Sequence, residues 1–300
     1  QPRLVGPPGF EPGSREPKIL SAFVDWDSFR DRLSKTHADG SVRVILRYAK
    51  RYCYVLEDPG KAGVLHGLGK DMRRNVMASL ANLSKFLGRY GYWKAIFSNA
   101  GLKWQKRSGL EAVLSILATD LQDVKEWLVE AVGVLPRKYS IVIAFEALTG
   151  VRPSEACVSC GLITNLAEEN RLSEYFDREL SMLEHFRFPE LFLRESKNCY
   201  VSFVPEDLIE LVVEAKPKVG YGVLKSALRK KGLPGRLMDL RKLYATRLRD
   251  EVPKEVIDLL QGRVGQSIFL RHYYKPYLAK VREQVFKTIE PLKNELKAIL

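Results

Sequence analysis

Cysteine is scarce in this chain of 300 residues: Cys53, Cys157, Cys160 and Cys199 are the only four, too few and too scattered for a disulfide framework. Cys157-Val-Ser-Cys160 has the spacing of half a zinc site, but the four histidines (His37, His66, His185, His272) are dispersed and supply no second pair. The two cysteines therefore read as buried thiols, and no metal is expected. Long apolar runs are missing too. None approaches the roughly 18–20 residues of a membrane span, and the N-terminus lacks the apolar stretch of a secretion signal. That predicts a soluble, cytoplasmic protein with no membrane partner. Gly63–Lys70 is glycine-rich, but Val64 stands five before Gly69 where a phosphate-cradling loop needs glycine. Gly-x-Ser-x-Gly and His-Glu-x-x-His are absent. No cofactor is expected.

What the chain does have is positive charge. The 49 Lys and Arg exceed the 36 Asp and Glu, a net +13 that favours a polyanionic partner. The excess is segregated. Residues 41–110 hold fourteen basic against three acidic side chains, and residues 221–250 hold nine against two. The intervening 111–220 come to −8. Two basic zones separated by an acidic one suit a protein that grips a long polyanion, nucleic acid, from two sides.

Residues 1–17 hold five prolines and three glycines without periodicity and read as a tail. The start on Gln rather than Met reads as a trimmed or processed chain. Apolar residues at three-four spacing predict helices over Ala22–Ser34, Val42–Val55 and Met72–Tyr90, with breaks at Asp39-Gly40 and Asp58-Pro59-Gly60. Gly91, Asn99-Ala-Gly101 and the basic run Lys103–Arg107 read as an interdomain linker, giving an N-terminal helical domain over 18–104 and a second domain over 105–300. The second domain predicts helices at Leu110–Ala118, Asp120–Val132, Arg137–Leu148, Ser154–Cys160, Pro205–Glu214, Gly222–Lys230, Leu240–Arg249, Lys254–Leu260 and Leu278–Ala298. Its one β signal is a hairpin, Leu191–Arg194 and Cys199–Val204 around Glu195-Ser-Lys-Asn198. The fold class is mainly α with a small antiparallel sheet.

Four segments in order along the second domain carry the chemistry. Thr149-Gly-Val-Arg-Pro-Ser-Glu-Ala156 resembles the first arginine motif of the tyrosine recombinases, the phage integrase family. Leu240-Arg-Lys-Leu-Tyr-Ala-Thr246 is similar to the second arginine motif of that family. Leu259-Leu-Gln-Gly-Arg-Val264 and Arg271-His-Tyr-Tyr-Lys-Pro276 look like its C-terminal glycine motif and nucleophilic tyrosine. The wording of the last two is most like integrases of archaeal viruses and plasmids. The resemblance implies an N-terminal core-binding domain and a C-terminal catalytic domain closing as a clamp on DNA. It also implies a homo-tetramer on two DNA sites, with the last helix exchanged with or docked on a neighbour.

The chemistry needs these residue types. Cutting DNA without a metal requires a nucleophile that keeps the broken end covalently, cations that hold the charge of a pentacoordinate phosphorus, and an acid for the leaving 5′-hydroxyl. The resemblance casts Tyr273 as nucleophile, with Tyr274 its competitor one residue on. Arg152, Arg241 and Arg263 are the clamps and Lys197, at the hairpin tip, the general acid, while Glu155 orients a neighbouring cation. Two positions depart from the pattern: Met238 stands where His or Lys is usual, with Arg236 or Lys242 able to supply the charge, and Arg263 stands where His or Trp is usual. Gly9-Phe-Glu-Pro-Gly13 would be encoded by a stretch close to the T-arm of a tRNA gene, and reads as a translated attachment site for DNA integration. Alternatives on the same fold are a type IB topoisomerase-like enzyme and a non-catalytic DNA-binding protein.

Overall fold

The structure, a computed structural model, describes residues 23–104, 108–118, 120–194, 198–263 and 276–300. The chain divides at Ala112/Val113 into two units, each with its own core. The division falls inside a helix, whereas the sequence places it at 104/105.

The N-terminal unit contains helices α1 (Trp26–Ser34), α2 (Asp39–Tyr52), α3 (Tyr54–Glu57), α4 (Lys70–Phe86) and α5 (Tyr90–Asn99), with a 3-10 segment over Pro59–Gly67. The Asp25 carboxylate caps α1 by accepting from the Ser28 N–H at 3.0 Å. In α2, Val42, Ile45, Ala49 and Tyr52 are buried at helical spacing, so the opposite face goes to solvent. Two expectations fail here. Asp39-Gly40 opens α2 instead of breaking the chain, because Gly is tolerated in a first turn and Asp there suits the helix dipole. The stretch read as linker begins with a helix, since Trp93 and Ile96, three apart, both enter the core.

Helix α6 (Gly109–Leu117) spans the division. The C-terminal unit continues with α7 (Leu121–Val134), α8 (Arg137–Thr149) and α9 (Pro153–Glu168). Next come strands β1 (Phe176–Asp177) and β2 (Met182–Leu183), α10 (Pro189–Phe192) and β3 (Ser202–Phe203). Helices α11 (Glu206–Ala215), α12 (Tyr221–Lys230), α13 (Leu237–Leu248), α14 (Lys254–Leu260) and α15 (Leu278–Lys297) complete it. Helix α8 is its axle: every residue from Ser140 to Thr149 is buried, with α7, α9, α11, α13 and α15 packed around it. A helix that is apolar on all sides has to be central.

Among the described residues the two arms of the expected hairpin do not pair as strands, and its tip, 195–197, lies outside them. Leu191 and Phe192 close the short helix α10 behind Pro189, and Ser202–Phe203 pair with Met182–Leu183 instead, in a three-stranded antiparallel sheet ordered β1-β2-β3. Strands of two residues are too short for alternation to mark them in the sequence. Behind the sheet runs a buried polar chain. The Tyr175 hydroxyl donates to the Ser159 hydroxyl at 3.0 Å and meets His185 Nδ1 at 2.7 Å, and His185 Nε2 meets the Ser202 hydroxyl at 2.9 Å. The last helix packs on its own unit. Val281, Val285, Ile289, Leu292 and Leu296 are buried, and Lys293 and Lys297 both reach Asp207.

Candidate functional site

The site is built at the ends of two helices. Helix α8 stops at Gly150, whose φ of +66° is the left-handed conformation that glycine adopts without strain. Arg152 then caps α9, with Pro153 in the first turn, where its missing N–H costs nothing. Helix α14 stops in the same manner at Gly262, φ +68°. There the Gly262 N–H reaches the Leu259 carbonyl at 2.9 Å and the Arg263 N–H reaches the Asp258 carbonyl at 2.7 Å, a Schellman cap. Each motif is thus one device, a helix ended by a left-handed glycine that sends an arginine out of the turn.

Arg241 joins the two ends. It lies on α13, directed inward by the buried Leu240, Leu243 and Leu248, and is 7% exposed. Its Nη1 donates to the Gly150 carbonyl at 2.8 Å and its Nη2 to the Gln261 carbonyl, both at helix C-termini, where the dipole favours a cation. The Gln261 amide donates back to the Arg241 carbonyl at 3.2 Å. The Tyr244 ring, one turn along α13, lies against Gly150: a Cβ there would fall 2.1 Å from it.

Arg152 is held by Glu155, whose side chain is fully buried. Glu155 Oε2 accepts the Arg152 backbone N–H at 2.9 Å, and Oε1 accepts its Nη1 at 2.8 Å. Arg194 approaches the same carboxylate at 3.7 Å. Arg152 Nη1 also donates to the Asn198 carbonyl at 3.1 Å, and Gly262 packs against that carbonyl so closely that a Cβ would sit 1.7 Å from it. The Asn198 backbone is therefore wedged between the Arg152 and Arg263 motifs. Arg263 pairs with Asp258 at 3.6 Å and remains mostly exposed.

Electrostatics link the three guanidinium groups. The Arg241 pKa is lowered to about 10, by burial first and by the positive charges of Arg152 and Arg263, with Glu155 opposing them. Cations this close favour an anion between them.

Of the residues named from sequence, the structure brings Arg152, Arg241 and Arg263 into one neighbourhood, with Glu155 orienting Arg152. Lys197, Tyr273 and Tyr274 lie outside the described residues. Met238 is 51% exposed, and Lys242 turns to Asp239 at 2.7 Å. Sequence reasoning missed the Asn198 and Gln261 main-chain contacts, which no residue type signals, and the buried Glu146. Cys157 and Cys160 are buried, and burial pushes the Cys157 thiol up to about 12. Among the described residues no group of three or more His, Cys, Asp or Glu could hold a metal ion, and no helix is long and apolar enough to cross a membrane. No family model, no curated protein and no solved structure matches the chain.

Proposed function

We propose that the chain is a site-specific DNA recombinase of the tyrosine recombinase kind. It would cut and rejoin double-stranded DNA through a 3′-phosphotyrosyl intermediate on Tyr273, inserting a virus or plasmid into a tRNA gene. The observation that carries the reading is the meeting of Arg152, Arg241 and Arg263, drawn from three separate sequence motifs, around one pair of helix ends.

In this reading the Tyr273 oxygen attacks the scissile phosphorus as its phenolic proton leaves. The bond from phosphorus to the 5′-oxygen breaks, and Lys197 protonates that oxygen. The three guanidinium groups hold the non-bridging oxygens as their charge grows. Rejoining is the reverse, with a 5′-hydroxyl attacking the phosphotyrosine. No outside energy source is needed, because the ester bond is conserved throughout.

The test is a nicked tRNA-gene duplex that traps a covalent protein–DNA adduct. Wild type should form it, Tyr273→Phe should bind DNA and form none, and Arg241→Ala should slow it by about 10²–10³, as for a lost transition-state donor. An adduct retained in Tyr273→Phe and lost in Tyr274→Phe would move the nucleophile by one residue. No adduct from wild type on any tRNA-gene substrate, with binding intact, would leave a DNA-binding protein and end the recombinase reading.

A further inference from the structure

Glu146 lies in the fully buried part of α8, and among the described residues neither of its carboxylate oxygens has a hydrogen-bond partner. Buried carboxylates normally collect donors, so an orphan one requires an explanation. The charged and titratable groups that reach it come from three elements: Arg241 on α13, Glu155 and Cys157 on α9, and Tyr221 on α12. Arg241, although within range of its charge, gives its N–H groups to the Gly150 and Gln261 carbonyls. A guanidinium beside an ionised carboxylate would turn to the carboxylate, because that bond is about twice as strong.

We propose that Glu146 is a positioning residue of the arginine cluster. Held as the neutral acid, it leaves the positive charge of Arg152, Arg241 and Arg263 uncancelled for an incoming phosphate group, and its ionisation weakens that anion site. The inference takes the cluster as the phosphate site of the reading above. Burial holds the Glu146 carboxyl well above the usual carboxylate range, Arg241 pulls the other way, and Glu155 adds to the rise. Cys157, at about 12, and Tyr221, raised from 10, keep their protons up to pH 9, so of these neutral neighbours Glu146 is the one whose proton loss can weaken the anion site below that pH.

The probe is sulfate, a phosphate-like anion of constant charge over that range, titrated calorimetrically against the full chain at pH 6 and pH 9. Wild type should bind it about tenfold more weakly at pH 9, the scale of one added charge at this range in a partly buried site. Glu146→Gln should bind equally at both, and Arg241→Ala should bind little at either. Parallel profiles in wild type and Glu146→Gln, or no change in wild type, would overturn the proposal. Should Glu146→Gln fail to fold, wild type still decides: a neutral-carboxyl infrared band present at pH 6 and lost by pH 9 supports it, and its absence at pH 6 refutes it. Sulfate binding of this kind in a chain that never forms a DNA adduct would sink the recombinase reading and leave the proposal standing.

Discussion

At the scale of single residues, the arginines do more than carry charge. Arg241 is spent largely inside the protein: two of its five N–H donors close the ends of α8 and α14, so the group that would bind phosphate also holds together the elements presenting it. His185 has a purely internal role in the same unit. It is fully buried between Tyr175 and Ser202, and burial lowers its pKa to about 3 against an ordinary 6.5. The unfolded chain therefore takes up a proton that the folded chain refuses. The stability from a neutral His185 is complete above pH 6.5 and is lost as pH falls towards 3. Between pH 6.5 and 5 the loss is about 2 kcal/mol, from 1.36 kcal/mol per unit. Denaturant unfolding of wild type and His185→Gln at pH 7 and pH 5 checks this. Wild type should lose about 2 kcal/mol more than the variant on acidification. An equal loss in both would show that His185 is protonated in the fold.

At the scale of elements, the site depends on two glycine stops, and Gly150 is the one whose obstacle, the Tyr244 side chain, can itself be changed. A methyl group there would meet the Tyr244 ring at 2.1 Å, and φ of +66° adds strain for any other residue. Gly150→Ala should lower stability by several kcal/mol, and Tyr244→Leu in the same chain should restore all but the backbone component of about 1 kcal/mol. Strict additivity of the two changes in thermal unfolding would contradict the packing. The glycines were legible in the sequence because a left-handed helix end almost demands that residue. Most of the helices were legible for a related reason, as in α2 and α7, where one face is buried and spacing shows it. The short strands were not: two-residue strands have no period, and Leu191–Arg194 looked β-like until Pro189 started a helix turn in it. Helix α9 ran past Cys160 to Glu168 because nothing after Cys160 breaks it. Glu146 could not have been found from sequence, since a glutamate on an apolar helix reads as a surface residue until every face of that helix is known to be covered.

At the scale of the whole molecule, the proposed DNA binding would rest on how charge is distributed over exposed surfaces. In the N-terminal unit, Arg43, Arg47, Lys50 and Arg51 are exposed along α2. No acidic side chain occurs between Gly40 and Leu56. Neighbouring rings steady these cations: Arg47 lies 4.7 Å from the Tyr48 ring centre, Lys50 5.3 Å from that of Trp26, and Arg51 5.5 Å from that of Tyr52. A cation resting on an aromatic face loses less freedom on meeting a phosphate. If α2 lies along a DNA backbone, each arginine that reaches a phosphate releases about one counterion, and affinity falls with salt at about 0.9 per contact on a log–log scale. Changing Arg43, Arg47 and Arg51 together to Ala should therefore flatten that slope by about 2–3 and weaken binding by a similar factor on cognate and unrelated duplexes. Removing surface charge from a solvent-facing stripe should leave the unfolding midpoint close to wild type. An unchanged slope would take α2 off the DNA and shift the contacts to the second basic zone, residues 221–250. A slope that flattens only on the cognate duplex would instead mean that these arginines read bases.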